Sequence, residues 1–269
     1  MRFKAALIDL SGTLHIDGQA IPGAVAALER LRAAQLPCRF VTNTTKDTVD
    51  SLVMTLQTLG FGISKDEVVF SSLSATRQLL KQRDLRPLLL LDRRALPEFD
   101  DVPQHDPNAV VVGLAREAFN YDSLNRHASM LLTLQSAFRL LHAQPAAPLI
   151  AIHRGRVFAE ASGLSLGPGP FVTALEVAAG RTAQVVGKPA PTFFAAALDH
   201  LGVASEHAVM IGDDVRDDVQ GAQAAGLAGV LVQTGKYQLG DEGFGAPAAS
   251  APDATVPDFA AAVDWLLSQ

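Results

Sequence analysis

The amino-acid sequence predicts an α/β protein with a doubly wound parallel-sheet core and an inserted α/β cap domain. Short apolar runs of strand length alternate with longer stretches of helical spacing, first near the N-terminus and again late in the 269-residue chain. This alternation favours a parallel sheet covered by helices on both faces, because parallel strands need crossover connections. A region with strands and a long helix of its own lies between the two stretches, which indicates an insertion.

The first part of the predicted core consists of two strand–helix pairs. Phe3 to Leu10 (FKAALIDL) is an apolar run that predicts a buried strand closing on an aspartate. Gly23 to Gln35 carries apolar residues at helical spacing and predicts a helix. Cys38 to Thr42 predicts the second strand, and Thr48 to Leu59 predicts the second helix.

The second part of the core resumes the alternation after the insertion. Gly240 to Pro252, rich in Gly, Ala and Pro, predicts a loop before the closing helix. The predicted strands and helices of this part are, in chain order, Gln184 to Gly187, Pro191 to Leu201, Ala208 to Gly212, Val215 to Ala225, Gly229 to Gln233 and Asp258 to Leu267.

The predicted cap takes residues 73–181 and leaves residues 1–72 and 182–269 to the core. Its strands are predicted at Leu88 to Leu91, Val110 to Gly113 and Leu149 to His153, and its long helix from Tyr121 to His142. A free edge of the cap's sheet could pair with a second copy of the chain, which makes a homodimer a candidate assembly.

Composition excludes several classes of protein. A hydrophobic fraction of 48% with 19% charged residues is typical of a packed domain and excludes wholesale disorder. The net charge of −6 argues against a nucleic-acid or anionic-membrane binder. Cys38 is the single cysteine, so a disulfide scaffold is excluded, and Lys4 and Asp9 interrupt the N-terminal apolar run. We therefore expect a cytoplasmic globular protein with neither nucleic acid nor membrane as a partner.

Polar side chains follow four of the predicted core strands at their carboxyl ends. In an open parallel sheet this edge is where ligands bind, near the point where the strand order reverses. The residues delivered there are Asp9, Ser11 and Gly12 after the first strand, Thr42 and Asn43 after the second, Lys188 after a third, and Asp213, Asp214 and Asp218 after a fourth.

The carboxylates in this set predict a metal site. Carboxyl groups brought together without a cation repel each other and force their pKa values apart. Asp9 and Asp213, with a backbone carbonyl and water, make an all-oxygen ligand set without His or Cys, which favours Mg²⁺ over Zn²⁺.

The donors in the same set predict an anion site beside the metal. Lys188, Thr42 and the backbone N–H groups around Gly12 and Asn43 suit phosphate, whose oxygens can be shared between metal, ammonium and main-chain donors. A carboxylate such as Asp9 can attack phosphorus and form an aspartyl-phosphate that water hydrolyses.

Each residue also has an ordinary structural explanation. A strand-end aspartate often caps a helix, and the acidic run Asp213 to Asp218 could simply complement a helix N-terminus. Thr42 to Thr44 could be an N-cap, and Lys188 could be a solvated turn residue. The constellation at one sheet edge is a stronger signal than any single member.

The four motifs, taken in order, resemble those of a known family. Asp9 to Thr13 (DLSGT), Thr42 to Thr44 (TNT), Gly187 to Pro189 (GKP) and Gly212 to Asp218 (GDDVRDD) resemble the motifs of the haloacid dehalogenase-like (HAD) phosphohydrolase superfamily. The large insertion between the second and third motifs resembles the C2-type cap of its type IIA, NagD-like subgroup. The resemblance implies a Rossmann-like core and a phosphatase that acts on small phosphorylated compounds.

The resemblance also implies roles for the metal-site residues. Asp9 would be the nucleophile and a Mg²⁺ ligand, and Asp213 would be the second carboxylate ligand. Ser11 would bind the ion through its backbone carbonyl. Asp214 and Asp218 would hold metal-bound waters or orient the lysine.

The phosphate-site residues receive roles in the same way. Thr42 and Asn43 would bind the transferring phosphoryl group, and Lys188 would neutralise both the nucleophile and the phosphate. The cap would close over the site and contact the leaving group.

One position departs from the usual pattern of the family. A second aspartate, which acts as general acid and base, normally stands two residues after the nucleophile, whereas this chain has Ser11. Such acid–base catalysis contributes roughly 10²–10⁴-fold. We therefore expect a preference for good leaving groups, as in aryl phosphates, pyrophosphate or phosphoramidates, over alkyl phosphates. The alternative is a weakly active or non-catalytic protein that binds Mg²⁺ and a phosphorylated ligand.

Two features outside the motifs keep two interpretations each, and a third is not expected to bind a metal. Gly167 to Pro170 is either a rigid turn or a cap loop that faces the substrate. His15 either reaches the substrate or is an ordinary loop histidine. His153 has no second His or Cys at metal-ligand spacing, so we do not expect zinc there.

Overall fold

The computed structural model describes residues 2–63, 70–115, 134–160, 163–243 and 251–269. It has two parallel sheets, each with helices on both faces, and this arrangement confirms the predicted α/β class with an inserted cap. No helix among the described residues is both long and apolar enough to cross a membrane.

The first core segment largely follows the prediction. A small hairpin, which the sequence analysis did not predict, sits between the first strand and the first helix. The elements are β1 (Ala5–Asp9), β2 (His15–Ile16), β3 (Gln19–Ala20), α1 (Ala24–Ala33), β4 (Cys38–Thr42), α2 (Val49–Thr58) and β5 (Phe70–Ser71).

The inserted region contains more elements than were predicted. Of the predicted helix from Tyr121 to His142, the part before residue 134 lies outside the described residues, and the rest is helical. The elements are α3 (Ser72–Gln82), β6 (Pro87–Leu90), β7 (Ala109–Val112), α4 (Leu134–Ala143), β8 (Leu149–Ala151), β9 (Val157–Glu160), β10 (Gly163–Leu166), α5 (Gly169–Ala179) and β11 (Gln184–Val185).

The second core segment returns to strand–helix alternation. The helix predicted from Val215 to Ala225 begins with a π-helical stretch, Val215–Gln220, and only its last turn is α-helical. Residues 244–250 of the predicted loop lie outside the described residues. The elements are α6 (Pro191–Asp199), β12 (Ala208–Gly212), α7 (Gly221–Ala224), β13 (Ala228–Val232), β14 (Ala254–Val256) and α8 (Phe259–Leu267).

The core sheet places β1 at its centre. Its six parallel strands run in the order β14-β13-β12-β1-β4-β5. Residues of β1 alternate between faces: Ala6 and Ile8 pack with α1, α2 and α8, while Leu7 packs with α6 and α7. Burial on both faces explains why the strand is a continuous apolar run. The strand order reverses between β1 and β12, so a crevice opens at their carboxyl ends.

The cap sheet has four parallel strands in the order β11-β8-β7-β6. Helices α4 and α5 cover one face, and α3 with a 3₁₀ helix at Arg93–Phe99 covers the other.

The sequence analysis assigned the strand at Gln184 to the core, and this assignment is wrong. Gln184 pairs with Ile150 of β8, and the neighbouring Val185 packs against the apolar cluster of the cap. A run this short contains no information about which sheet it joins, because either parallel edge could accept it. The chain therefore returns to the core a few residues later than predicted.

Candidate active site

The turn after β1 brings Asp9 to the crevice. The five residues of β1 are fully enclosed, and the chain then turns sharply so that the Gly12 amide donates to the His15 carbonyl at 2.8 Å. Gly12 has φ +91°, and a Cβ at this position would overlap Oδ2 of Asp213. Glycine is therefore needed both for the left-handed turn and for the close approach of the second carboxylate.

A buried lysine joins Asp9 to a second carboxylate. Nζ of Lys188 donates to Oδ1 of Asp9 at 2.5 Å and to Oδ1 of Asp218 at 2.6 Å. The side chains of all three residues are at most 7% exposed. Burial alone would lower the pKa of Lys188, but the carboxylates of Asp218 and Asp9 outweigh it and raise this pKa above its ordinary value. Lys188 therefore stays charged against the candidate nucleophile.

Asn43 fixes the backbone of that lysine. Its Oδ1 accepts from the Lys188 amide at 3.0 Å, and its Nδ2 donates to the Lys188 carbonyl at 2.9 Å. A Cβ on Gly187 would overlap Oδ1 of Asn43, so the glycine makes room for this clamp. Beside it, Oγ1 of the buried Thr42 accepts from the Thr44 amide at 3.1 Å. The side chain of Asn43 thus positions Lys188, and its own backbone stays beside the cavity.

Asp213 lies at the end of β12 with one oxygen unpartnered. Its Oδ2 accepts from the Lys236 amide at 2.7 Å, whereas its buried Oδ1 has no hydrogen-bond partner among the residues that the structure describes. Burial raises the pKa of Asp213 well above its ordinary value, and the nearby Asp9 and Asp218 add to this effect. A buried oxygen without a partner is a strained arrangement that a bound cation would relieve.

Three carboxylates converge with the geometry of a cation site. Asp9, Asp213 and Asp218 each offer an oxygen, and these oxygens lie within 4.8 Å of one another. Burial, with the neighbouring Asp9 and Asp214, raises the pKa of Asp218 to about 6, although Lys188 opposes this shift. An all-oxygen set in which the pKa values of Asp213 and Asp218 are raised fits a hard divalent cation, which would hold these two carboxylates ionised.

The π-helical stretch after β12 begins with an aspartate cap. Oδ1 of Asp214 accepts from the amides of Arg216 and Asp217 at 3.0 Å each, as the ordinary structural explanation anticipates. The Asp214 amide in turn donates to Oδ2 of Asp218 at 3.1 Å. The acidic run Asp213 to Asp218 therefore begins the helix and also holds Asp218 in position to accept from Lys188.

Lys236 belongs to this cluster and was missed by the sequence analysis. Its amide holds Asp213, and its Nζ lies 3.2 Å from Oδ2 of Asp214. It follows the predicted strand β13, and a polar residue after a core strand is the sequence signal that indicates its place in the site. Gly235 (φ +62°) before it leaves room for Asp213 as Gly12 does.

The cap supplies the opposite wall of the cavity. Oγ1 of the buried Thr45 accepts from the Leu114 amide at 2.9 Å and so ties the core loop to the end of a cap strand. Gly167 and Pro168 of the 167–170 loop line the cavity, while Gly169 and Pro170 begin α5, so the structure is compatible with both interpretations of this loop. The cap residues along this wall are Leu114, His153, Gly155, Val157, Phe158, Gly167 and Pro168.

His153 is a neutral histidine in the cap wall. Its Nδ1 accepts from the Gly155 amide at 3.1 Å. Burial is the largest cause that lowers the pKa of His153 to about 3, and the ammonium groups of Lys236 and Lys188 lower it further.

Comparison with known proteins identifies the family. Residues 6–102 match the family model described as Haloacid dehalogenase-like hydrolase, and residues 185–262 match the one described as HAD-hydrolase-like. Haloacid dehalogenase-like hydrolase domain-containing protein 2 from Rattus norvegicus is 54% identical over 98% of this chain and 96% of its own length. The chain belongs to the haloacid dehalogenase-like hydrolases.

Further relatives of this HAD chain support the type IIA subgroup and phosphatase activity. Phospholysine phosphohistidine inorganic pyrophosphate phosphatase from Xenopus laevis is 42% identical over 98% of the chain and 95% of its own length. The solved structure of NagD from E. coli is 26% identical, covers 97% of the chain and 98% of its own, and superposes with a TM-score of 0.78. This HAD protein is therefore an enzyme of the phosphatase type.

A first prediction tests the close approach at Gly12. We expect Gly12→Ala to displace the Asp213 carboxylate and to weaken binding of Mg²⁺, measured by isothermal titration calorimetry, at least 10-fold. Gly18→Ala is the matched control, because Gly18 also has a positive φ (+74°) but no atom within 4 Å of its Cβ position. Both variants incur a similar backbone strain, on the order of 1 kcal/mol. Equal Mg²⁺ affinities in the two variants would contradict the assignment of Asp213 as a Mg²⁺ ligand that Gly12 makes room for.

A second prediction concerns the pH dependence of stability. The pKa of His153 is about 3 in the folded protein, below the ordinary 6.5. The neutral imidazole therefore makes its full contribution to the unfolding free energy above pH 6.5, and this contribution is lost as pH falls toward 3. We expect the unfolding free energy of wild type to fall more steeply with decreasing pH than that of His153→Gln, by up to about 1.4 kcal/mol per pH unit. Urea unfolding at pH 7, 6 and 5 measures this, and parallel curves would refute it.

Proposed function

We propose that this chain is a Mg²⁺-dependent phosphohydrolase that acts on small phosphorylated compounds through an aspartyl-phosphate on Asp9. The observation that carries the proposal is the convergence of Asp9, its ammonium partner Lys188 and the unpartnered oxygen of Asp213 at the crevice where the strand order reverses. Helix capping, the ordinary structural explanation, accounts neither for the contact between Asp9 and Lys188 nor for the unpartnered oxygen of Asp213.

Asp9 is the proposed nucleophile. Lys188 donates to its Oδ1, while within the described part of the chain Oδ2 has a single, long contact of 3.5 Å from the Thr13 hydroxyl. A carboxylate oxygen attacks phosphorus, the bond from phosphorus to the leaving oxygen breaks, and its electron pair departs with that oxygen. Water then attacks phosphorus of the aspartyl-phosphate, which releases phosphate and regenerates the carboxylate.

The donors at the same edge suit the transferring phosphoryl group. Lys188 offsets negative charge on both the nucleophile and the phosphoryl oxygens. The Thr42 hydroxyl and the backbone N–H groups around Gly12 and Asn43 supply further hydrogen bonds, but the Gly12 amide itself donates to the His15 carbonyl in this structure. The donors are held by the folded chain before substrate arrives, which reduces the cost of reorganisation.

The proposed Mg²⁺ ligands are the carboxylates of Asp9 and Asp213 and the backbone carbonyl of Ser11. Asp214 and Asp218 would hold metal-bound water or orient Lys188. When bound, the ion supplies positive charge beside the phosphoryl group. Oxygen ligands without nitrogen or sulfur favour Mg²⁺ over Zn²⁺.

Ser11 directs the proposed substrate class. This exposed residue cannot donate a proton as a carboxylic acid does, so leaving groups that need little protonation should react best. Aryl phosphates, pyrophosphate and phosphoramidates fit this requirement better than sugar phosphates. The Xenopus relative, whose name refers to phospholysine, phosphohistidine and pyrophosphate, supports the same chemistry.

A third prediction tests the nucleophile. We expect Asp9→Asn to lower the rate of p-nitrophenyl phosphate hydrolysis with Mg²⁺ at least 10³-fold, because the covalent step is lost. Asp199→Asn, at an exposed position at the end of α6, should leave the rate unchanged. A low rate that is the same in wild type and Asp9→Asn would instead favour the alternative of a non-catalytic binding protein.

A fourth prediction concerns the leaving group. We expect wild type to hydrolyse aryl phosphates faster than sugar phosphates, and Ser11→Asp to raise the rate with sugar phosphates by up to about 10²-fold while changing aryl phosphate hydrolysis little. Steady-state kinetics on both substrate types decides this. Equal wild-type rates for the two types, or a substitution that never helps, would refute it.

A further inference from the structure

A core lysine and a cap phenylalanine meet across the active-site cavity. Nζ of Lys46 lies 4.2 Å from the centre of the Phe158 ring, within the range of a cation–π contact. Lys46 closely follows the Thr42 to Thr44 motif of the core, and Phe158 belongs to β9 of the cap. Both residues are half-buried and line the cavity that contains Asp9 and Lys188. The ammonium of Lys46 is therefore held on the cap side of this cavity.

Two hydrogen bonds between core and cap fix the segment that carries Lys46. Oγ1 of Thr45, the preceding residue, accepts from the Leu114 amide of the cap at 2.9 Å. The Val49 amide, at the start of α2, donates to a carboxylate oxygen of Glu98 in the cap at 3.2 Å. Because the backbone is anchored to the cap on either side of Lys46, its long side chain starts from a fixed point where the core meets the cap.

Two further lysines of the cavity are held by the carboxylate cluster. Nζ of Lys188 bridges Asp9 and Asp218, and Nζ of Lys236 lies 3.2 Å from Oδ2 of Asp214. The cationic side chains among the described residues that line the cavity therefore occupy two places. Two of them lie at the proposed metal site, and the third lies beside the cap wall.

In-line attack puts the leaving group on the side of the cavity where Lys46 lies. Asp9 approaches phosphorus from the core, so the bond that breaks points toward the cap. Phe158 and the other apolar side chains of the cap wall carry no charge, and His153 is neutral. Within the described lining, the charges that a leaving group meets here are the ammonium of Lys46 and the carboxylate of Asp17 on the exposed rim.

We propose that Lys46 binds an anionic leaving group and so directs the enzyme toward phosphoanhydrides such as pyrophosphate. The inference rests on the proposed phosphohydrolase function and narrows its substrate class. A carboxylate oxygen of Asp9 bonds to one phosphorus, the bond from that phosphorus to the bridging oxygen breaks, and the electron pair departs with this oxygen on the second phosphate. The Lys46 ammonium offsets the charge that the second phosphate gains. Phe158 is a positioning residue, because its ring holds the ammonium at the cap wall.

The test compares inorganic pyrophosphate with p-nitrophenyl phosphate, whose leaving group is uncharged in the substrate, at a fixed concentration of free Mg²⁺. We expect Lys46→Met, which keeps the length of the side chain without its charge, to lower kcat/KM at least 10-fold for pyrophosphate and less than 3-fold for p-nitrophenyl phosphate. Lys46→Arg should retain most of the pyrophosphate activity, and Phe158→Leu should lose part of it. Lys4→Met, at an exposed position outside the cavity, removes the same charge and should leave both rates unchanged.

Inhibition by phosphonates separates binding of the second phosphate from a structural role. Methylenediphosphonate, which resembles pyrophosphate but is not cleaved, should inhibit Lys46→Met at least 10-fold more weakly than wild type, whereas methylphosphonate should inhibit both alike. If Lys46→Met does not fold, Lys46→Gln replaces it. An equal loss with both substrates, no loss, or a wild type that hydrolyses p-nitrophenyl phosphate but not pyrophosphate overturns the inference and leaves the proposed function intact. A wild type that hydrolyses neither substrate overturns both.

Discussion

The structure depends on keeping several carboxylates buried at one point. Asp9, Asp213 and Asp218 each place an oxygen close enough to bind one cation. Lys188 bridges Asp9 and Asp218, and the Lys236 amide donates to Asp213. Removing a partner from such a cluster is costly, since an uncompensated buried charge remains. Burial, with a smaller effect from neighbouring carboxylates, raises the pKa values of Asp213 and Asp218, and a divalent cation would hold both groups ionised.

The core sheet and the cap sheet contribute different parts of the site around this cluster. The core sheet carries Asp9 and Asp213 at its strand ends, whereas Lys188 follows β11 of the cap sheet. The glycines at positions 12, 187 and 235 allow backbone and side chains to approach closely. The cap sheet brings an uncharged wall over the same cavity, tied to the core through Thr45. Fixed charges on one side of the cavity and the cap residues on the other suit phosphoryl transfer, because positioning and electrostatics dominate its catalysis.

Asp9 and Asp213 could be predicted from the sequence, because each follows an apolar strand of the core sheet. Lys188 was also predicted, but the strand before it belongs to the cap sheet, so the reasoning from one shared sheet edge does not account for its place. Lys236 could have been found by the same rule. The burial of His15 could not be predicted, since it depends on how the hairpin packs. The strand at Gln184 was misassigned for a similar reason: a two-residue pairing is decided by tertiary contacts. The homodimer, the cytoplasmic location and the absence of a nucleic-acid partner stay predictions.

A crystal structure grown with Mg²⁺ tests the central claim most directly. The account predicts one ion bound by carboxylate oxygens of both Asp9 and Asp213 at about 2.0–2.1 Å, completed by the Ser11 carbonyl and water. An ion bound elsewhere, or carboxylates of Asp9 and Asp213 too far apart to share it, would contradict the account.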